Sequence, residues 1–152
     1  MHVATGRTKS FKPLGAGLRQ LYGGKYYALG FSFNQGSFQA REARLTDSSK
    51  GVLTSFTVPP ALAGSVDWYL THTRQKTCIV DWRATQKNND VMDWLKAPCL
   101  MRSVGAIYSA GSDTSFFYPI VLSQHFDGLL FIDSTTRARP NPSVKQVADR
   151  TD

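Results

Sequence analysis

The fold is decided by residues 25–45, which read KYYALGFSFNQGSFQAREARL. Aromatic and apolar side chains dominate residues 25–33, a composition typical of a β-strand. Residues 34–36 have the chemistry of a turn, and residues 37–45 have the pattern of a partner strand. The segment therefore predicts a β-hairpin on the N-terminal side of a sheet.

Further elements are predicted on both sides of this hairpin. Pro13 opens a helical pattern that Gly23 and Gly24 end, and Ser65 has the chemistry of a helix N-cap. Helices are predicted over residues 13–22, 65–73, 89–95 and 122–126, and further strands over residues 52–58, 76–82, 101–108 and 128–133. Their alternation in the second half is typical of βαβ units, which pair strands in parallel. We therefore expect an α/β fold: a mixed β-sheet with an N-terminal hairpin and flanking helices.

Length and composition indicate one globular domain. The chain has 152 residues, of which 41% are hydrophobic, enough for a single core. We expect the domain over residues 1–140 and a mobile tail over residues 141–152, because the end of the chain is polar. No run of eighteen apolar residues predicts a membrane span, and the two cysteines, Cys78 and Cys99, form no metal motif. We expect a cytoplasmic protein with no metal, no cofactor and no membrane partner.

The net charge of +7 comes from 18 Lys and Arg against 11 Asp and Glu. Such an excess could bind nucleic acid. The basic residues are scattered, however, without a run of five, which is typical of a solvated surface. A nucleic-acid binder is therefore kept only as the weakest alternative.

Histidines and carboxylates offer few catalytic pairs. His72 and His125 lie at the flank or end of predicted helices, where structural roles are usual, although His125 could pair with Asp127. Asp81 and Asp133 end predicted strands, the position at which α/β sites gather, so each could be half of an acid–base pair. Each could equally cap a turn or pair with a nearby arginine.

Four segments of the sequence, in order and with matching spacing, resemble one known family. They cover residues 25–40, 56–65, 101–108 and 126–136. The family is that of the erythromycin esterases, which includes macrolide-inactivating enzymes and proteins labelled succinoglycan biosynthesis proteins. The resemblance extends from His2 to about residue 140, nearly the whole chain.

The resemblance implies a metal-independent hydrolase that opens a macrolactone, or cleaves a related ester, with water activated by histidines and glutamates. His2 matches the last histidine of the family's His-Asn-x-His-type element and is the expected catalytic residue. The earlier histidine of that element and the family's N-terminal glutamate and histidine have no counterpart in the sequence. We therefore expect a partial, truncated domain that is inactive alone and could self-associate through the face left by the missing half. The alternative is a noncatalytic binding or interaction domain of the same fold.

A macrolide is large and mostly apolar, so its binding cleft needs apolar and aromatic walls with few polar anchors. The expected substrate-binding residues are Phe33, Met101, Arg102, Phe116 and Phe117. The four apolar residues could equally belong to the core. Arg102 could anchor a carboxylate or polarise a carbonyl, or it could form a structural ion pair.

Overall fold

The computed structural model describes residues 13–42, 52–85 and 89–139. The helices are α1 (Leu14–Tyr22), α2 (Val66–His72), α3 (Asn89–Lys96) and α4 (Leu122–His125). The strands are β1 (Leu29–Glu42), β2 (Leu53–Val58), β3 (Thr77–Asp81), β4 (Cys99–Arg102), β5 (Ile107–Tyr108), β6 (Phe117–Ile120) and β7 (Gly128–Thr135). Short 3-10 turns lie at Gly23–Lys25, Trp82–Thr85 and Asp113–Phe116. His2 and the tail predicted over residues 141–152 lie outside the described residues.

The sheet is mixed, as predicted. Its strand order is β2-β1-β7-β3, and β5 pairs with the end of β1. β1 runs parallel to β7 and β5, whereas β2 is antiparallel to β1 and β3 is antiparallel to β7. The α/β class is therefore confirmed, and so is some parallel pairing, although β5 and β7 pair in parallel with β1 and not with other strands of the second half. β3 is antiparallel to β7, and β4 and β6 pair with each other, antiparallel, outside the main sheet.

β1 continues through the residues that predicted a turn, so the hairpin turn at residues 34–36 is wrong. Other elements satisfy the polar groups that suggested it. Asn34 donates through Nδ2 to Asp133 (2.9 Å), and its Oδ1 accepts a hydrogen bond from the Ala61 N–H (2.9 Å). Gly36 faces the backbone of β7 instead of turning the chain. The antiparallel partner of β1 is β2.

Two apolar clusters hold the elements together. One lies between the sheet and the helices α2, α3 and α4; its buried members are Val66, Trp82, Leu95, Met101, Leu122 and Leu129. The other lies where β1, β2 and β5 meet; its buried members are Phe33, Ala40, Phe56, Val58 and Tyr108. Because Met101 of β4 belongs to the first cluster and Phe33 of β1 to the second, the boundary between the clusters runs between these two strands.

Local signals at the helix ends act as predicted. Ser65 precedes α2, and its Oγ accepts a hydrogen bond from the Trp68 N–H (3.2 Å), which satisfies one of the free donors of the first turn. α1 begins after Pro13 and ends at Gly23, whose φ of 53° costs a glycine little.

Candidate functional site

A cleft of about 600 Å³ opens between β1 and the β4–β6 pair. β7 pairs with β1 over residues 29–36, and β2 joins β1 only from Gly36 onward. Among the described strands, none pairs with the other edge of β1 before Gly36. β4 lies across this gap, where Arg102 bonds to the Asn34 carbonyl oxygen. The polar residues that line the cleft are Gln39, Arg102, Ser103 and His125. Its apolar and aromatic walls include Phe31, Phe33, Phe38, Met101, Tyr118, Ile120 and Phe126.

Gly36 brings aromatic residues from two parts of β1 into this cleft. In a regular strand, Phe33 and Phe38 would face opposite sides of the sheet, because they are an odd number of residues apart. Their ring centroids nevertheless lie 6.2 Å apart. The φ of Gly36, 116°, interrupts the alternation of side-chain direction between Phe33 and Phe38. Residues other than glycine disfavour this backbone conformation. Gly36 thus shapes the cleft as well as the sheet.

Arg102, at the end of β4, is buried beside the cleft and is held by protein acceptors. Its Nη1 donates to the Asn34 carbonyl oxygen (3.0 Å), and its Nη2 donates to the Pro59 carbonyl oxygen (3.0 Å) and to Asp113 (3.3 Å). The guanidinium also lies over the Phe33 ring, 5.4 Å from its centroid. The structural ion pair that the sequence left open is therefore present, and both terminal nitrogens have protein partners.

Asp67, in the first turn of α2, is fully buried and ties this helix to β1 and β4. Its carboxylate accepts hydrogen bonds from the Ser32 hydroxyl and, through Oδ2, from the Arg102 N–H (2.9 Å). Burial raises the pKa of Asp67, and the two hydrogen bonds oppose this shift by stabilising the charged form. Sequence reasoning missed this residue. The available signal was an aspartate within the apolar run that follows the Ser65 N-cap.

The rings of His125 and His72 each form a hydrogen bond with a backbone carbonyl oxygen of their own helix region. Of these two residues, only His125 lines the cleft. In each, Nδ1 contacts the carbonyl oxygen four residues earlier, at 2.9 Å for Val121 and His125 and at 2.8 Å for Trp68 and His72. A carbonyl oxygen can only accept, so Nδ1 carries the proton in both rings. Both residues lie at helix ends, as the sequence predicted, and both side chains are exposed.

Asp127 binds α1 rather than His125. Its carboxylate accepts hydrogen bonds from the Arg19 side chain and from the Ala28 N–H (2.7 Å). Partial burial raises the pKa of Asp127, but the hydrogen bonds from Ala28 and Arg19 outweigh burial and lower it overall. The His125–Asp127 pairing that the sequence allowed is therefore not formed, because each side chain has another partner.

The two strand-end carboxylates do not meet. Because β3 is antiparallel to β7, Asp81 lies opposite Gly128 at the start of β7, whereas Asp133 lies near the end of that strand. Asp81 pairs with Arg83 (3.2 Å), whose hydrogen bond lowers the pKa of Asp81. Asp133 accepts its hydrogen bond from Asn34. Asp81 therefore takes the arginine-paired role that was its alternative, whereas Asp133 has a structural partner, Asn34, that the sequence did not suggest.

The structure brings together three of the predicted substrate-binding residues, Phe33, Met101 and Arg102, which all line the cleft. Phe117 is buried under the Arg102 guanidinium, which lies 4.9 Å from the ring centroid. Phe116 stacks on Tyr108, with ring centroids 4.5 Å apart. Neither of these two lines the cleft, and His2 lies outside the part of the chain that the structure describes.

Sequence reasoning missed Phe31, Tyr118, His125 and Phe126 as lining residues. A signal for Phe31 existed, because it precedes Phe33 by two positions in a strand and shares its face. The placement of Tyr118 depends on β6 pairing with β4 outside the main sheet, which no local pattern predicts.

Within residues 13–42, 52–85 and 89–139, no group of three or more His, Cys, Asp or Glu side chains is placed to hold a metal ion. None of the helices in these ranges has the length and apolar character needed to cross a bilayer. Cys78 and Cys99 are free, partly buried thiols.

Two solved structures share the fold of this chain. One is a succinoglycan biosynthesis protein, with 21% identity and a TM-score of 0.62 over 80% of this chain. The other is a Bacillus cereus protein, with 20% identity and a TM-score of 0.64 over 79% of this chain. The chain spans 27% of the length of each of these structures, and at these identities the likeness shows the fold alone.

Sequence comparison gives the family. Among curated proteins no match is found. The model of the erythromycin esterase family matches residues 1–135, nearly the whole chain. The chain therefore belongs to the erythromycin esterase family.

Proposed function

We propose that this chain contributes a substrate-binding wall and a water-activating histidine, His2, to a hydrolase that opens a macrolactone or cleaves a related ester. The observation that carries the proposal is the cleft between β1 and the β4–β6 pair. Its walls are mostly apolar and aromatic, which suits a large ester. Its volume of about 600 Å³ falls within the range of roughly 300–1,000 Å³ that is usual for ligand pockets.

Hydrolysis of an ester needs a base, donors for the oxyanion and a positioned acyl group. In the proposed reaction, His2 takes a proton from water as the water oxygen bonds to the acyl carbon. The proton then passes to the departing alkoxide when the C–O bond breaks. The role of His2 is supported by the resemblance of residues 1–4 to the end of the family's His-Asn-x-His-type element. The cleft holds the ester, whereas Arg102 is not assigned to the oxyanion because protein acceptors occupy its terminal nitrogens.

We expect the chain by itself to bind such an ester without hydrolysing it. The sequence has no counterpart of the family's N-terminal glutamate and histidine, so the set of water-activating groups is incomplete.

Phe31→Ala is expected to weaken the binding of erythromycin to the chain about fivefold. Phe31 lines the cleft and is 51% exposed, so a ligand that packs against it removes apolar surface from water, worth about 1 kcal/mol. Isothermal titration calorimetry measures the dissociation constant. Ile79→Ala is the matched control, because Ile79 is 64% exposed on β3 and does not line the cleft.

Erythromycin incubated with the unmodified chain or with the His2→Ala chain, and analysed by mass spectrometry, tests the hydrolytic part of the proposal. We expect no product heavier than erythromycin by one water, with or without His2→Ala. A water adduct that His2→Ala abolishes would show that the chain is a working esterase by itself and would contradict the incomplete set of groups. Equal binding by the Phe31→Ala chain and the unmodified chain would contradict the proposed site.

A noncatalytic interaction domain is the second candidate, and an exposed apolar surface favours it. Phe31, Leu130 and Ile79 are register partners on β1, β7 and β3, and they form an apolar row across the sheet. Phe31 and Ile79 are 51% and 64% exposed. On α1, Leu14 and Leu21 are 78% and 72% exposed. Exposed apolar surface of this kind is typical of protein–protein interfaces.

If the apolar row is an interface between copies of the chain, Ile79→Lys is expected to weaken self-association about tenfold or more. A lysine there would place a charge without a partner in an apolar contact. Sedimentation velocity over a range of concentrations measures the effect. Leu53→Lys is the control, because Leu53 is 60% exposed on β2 and lies outside the row. An unmodified chain that stays monomeric at high concentration and binds no apolar dye would argue against this candidate.

A further inference from the structure

We propose that a second, smaller cavity binds the end of an unbranched alkyl chain. This cavity lies within the first apolar cluster, among the helices α2, α3 and α4 and the strands β3 and β7, and its volume is about 60 Å³. It is separate from the cleft, because no described residue lines both. The inference is therefore independent of the proposed function.

The lining of the cavity selects a hydrocarbon group. Its described lining residues are all valine, leucine or tryptophan, and none presents a polar atom to the cavity. Trp82 donates its indole N–H to the Phe126 carbonyl oxygen (2.8 Å), so this donor is not available to a ligand. A hydroxyl, an amide or a charged group would lose its hydration in the cavity without gaining a partner. Water is disfavoured for the same reason, because a buried water needs polar partners.

The volume of the cavity selects a slender group. An apolar cavity of roughly 150 Å³ holds a benzene ring, whereas one water molecule takes up roughly 30 Å³ in the liquid. A space of about 60 Å³ is therefore too small for an aromatic ring. It has room for about two or three carbons at the end of an alkyl chain.

The exposure of the lining residues shows where such a chain would enter. Val66, Leu122 and Leu129 are each 1% exposed and lie at the buried end of the cavity. Val91, on α3, is 36% exposed and is the most exposed of the described lining residues. A chain that enters beside Val91 leaves its polar head in water while its apolar end reaches the buried residues.

The test uses two probes of equal chain length: 1-hexanol, which ends in a methyl group, and 1,6-hexanediol, which has a hydroxyl group at each end. Methyl ¹H–¹³C spectra of the full chain, recorded during a titration, measure the affinity for each probe and locate it. 1-Hexanol should shift the methyl signals of Val66, Leu122 and Leu129 and leave those of Val58, in the second cluster, in place. The diol should bind about tenfold more weakly or worse, because it would bury a hydroxyl group without a partner.

Two variants test the place of binding. Val80→Ile adds a methylene group to the lining, so it should weaken the binding of 1-hexanol about fivefold or more. Val91→Phe adds bulk at the entrance, from an exposed position where the change disturbs folding less, and it should weaken binding in the same direction. Val58→Ile is the matched control, because it makes the same change as Val80→Ile at a strand valine that does not line the cavity.

Equal affinities for the two probes, or equal shifts of the methyl signals in both clusters, would overturn the inference. Failure of 1-hexanol to bind, or an affinity that neither Val80→Ile nor Val91→Phe lowers, would also overturn it. Each of these results would leave the proposed function standing, because the cleft and the cavity share no described lining residue.

Discussion

Gly36→Ala is expected to lower the free energy of unfolding by about 3 kcal/mol or more. The φ of Gly36 is 116°, a conformation that costs other residues about 1–3 kcal/mol. An added Cβ would also lie 2.2 Å from the Thr135 carbonyl oxygen and 2.6 Å from the Thr135 nitrogen. These atoms belong to the backbone of β7, so they cannot move away without disturbing the parallel pairing of β1 with β7.

Urea unfolding followed by circular dichroism measures this loss, and Gly64→Ala is its control. Gly64 has a φ of 81°, but an added Cβ there meets nothing within 4 Å. Only the conformational cost applies to it, about 1–2 kcal/mol. A larger loss at Gly36 combines the overlap with β7 and the higher conformational cost of its φ of 116° compared with 81° at Gly64. Equal losses would show that β1 and β7 separate easily at this point, contrary to the close approach that the structure shows.

Gly36 also marks the limit of what the sequence could predict about the fold. The positions of most strands and helices follow from local composition and from caps such as Ser65, because those signals act within one turn or one strand. The sequence Asn-Gln-Gly has the chemistry of a turn, yet the partner of Asn34 is Asp133, 99 residues away. Local patterns cannot reveal a partner at that distance, so one long strand was predicted as two.

The candidate site was predictable where it depends on one strand and unpredictable where it depends on pairing. Phe33 and Met101 could be assigned to a cleft wall from the segments in which they lie. Phe116 ends a 3-10 turn and Phe117 begins β6, so the two adjacent side chains do not share one wall. The structure places Phe117 under Arg102 and Phe116 against Tyr108.

Asp67→Ala is expected to lower the free energy of unfolding by about 3 kcal/mol. The carboxylate of Asp67 is the acceptor for both the Ser32 hydroxyl and the Arg102 N–H (2.9 Å). Without it, two buried donors lose their acceptor, and each such loss costs about 1–3 kcal/mol. Urea unfolding at neutral pH measures the effect. A loss under about 1 kcal/mol would show that other groups or water replace the carboxylate.

Asp67→Asn separates the charge from the hydrogen bonds. The asparagine oxygen can accept from the Arg102 N–H and its amide can donate to the Ser32 hydroxyl oxygen, so we expect a change within about 1 kcal/mol at neutral pH. Because burial holds the pKa of Asp67 above its usual value, its contribution to stability is full below the pKa in the unfolded chain and is lost as pH rises through the pKa in the folded chain. The unmodified chain should therefore gain stability relative to Asp67→Asn as the pH falls from above the folded-state pKa of Asp67 to below its unfolded-state pKa. Asp81 and Asp127, whose pKa values are lowered, are present in both chains and cancel in the comparison. A difference that grows as pH rises would show that the hydrogen bonds from Ser32 and Arg102 outweigh burial at this carboxylate.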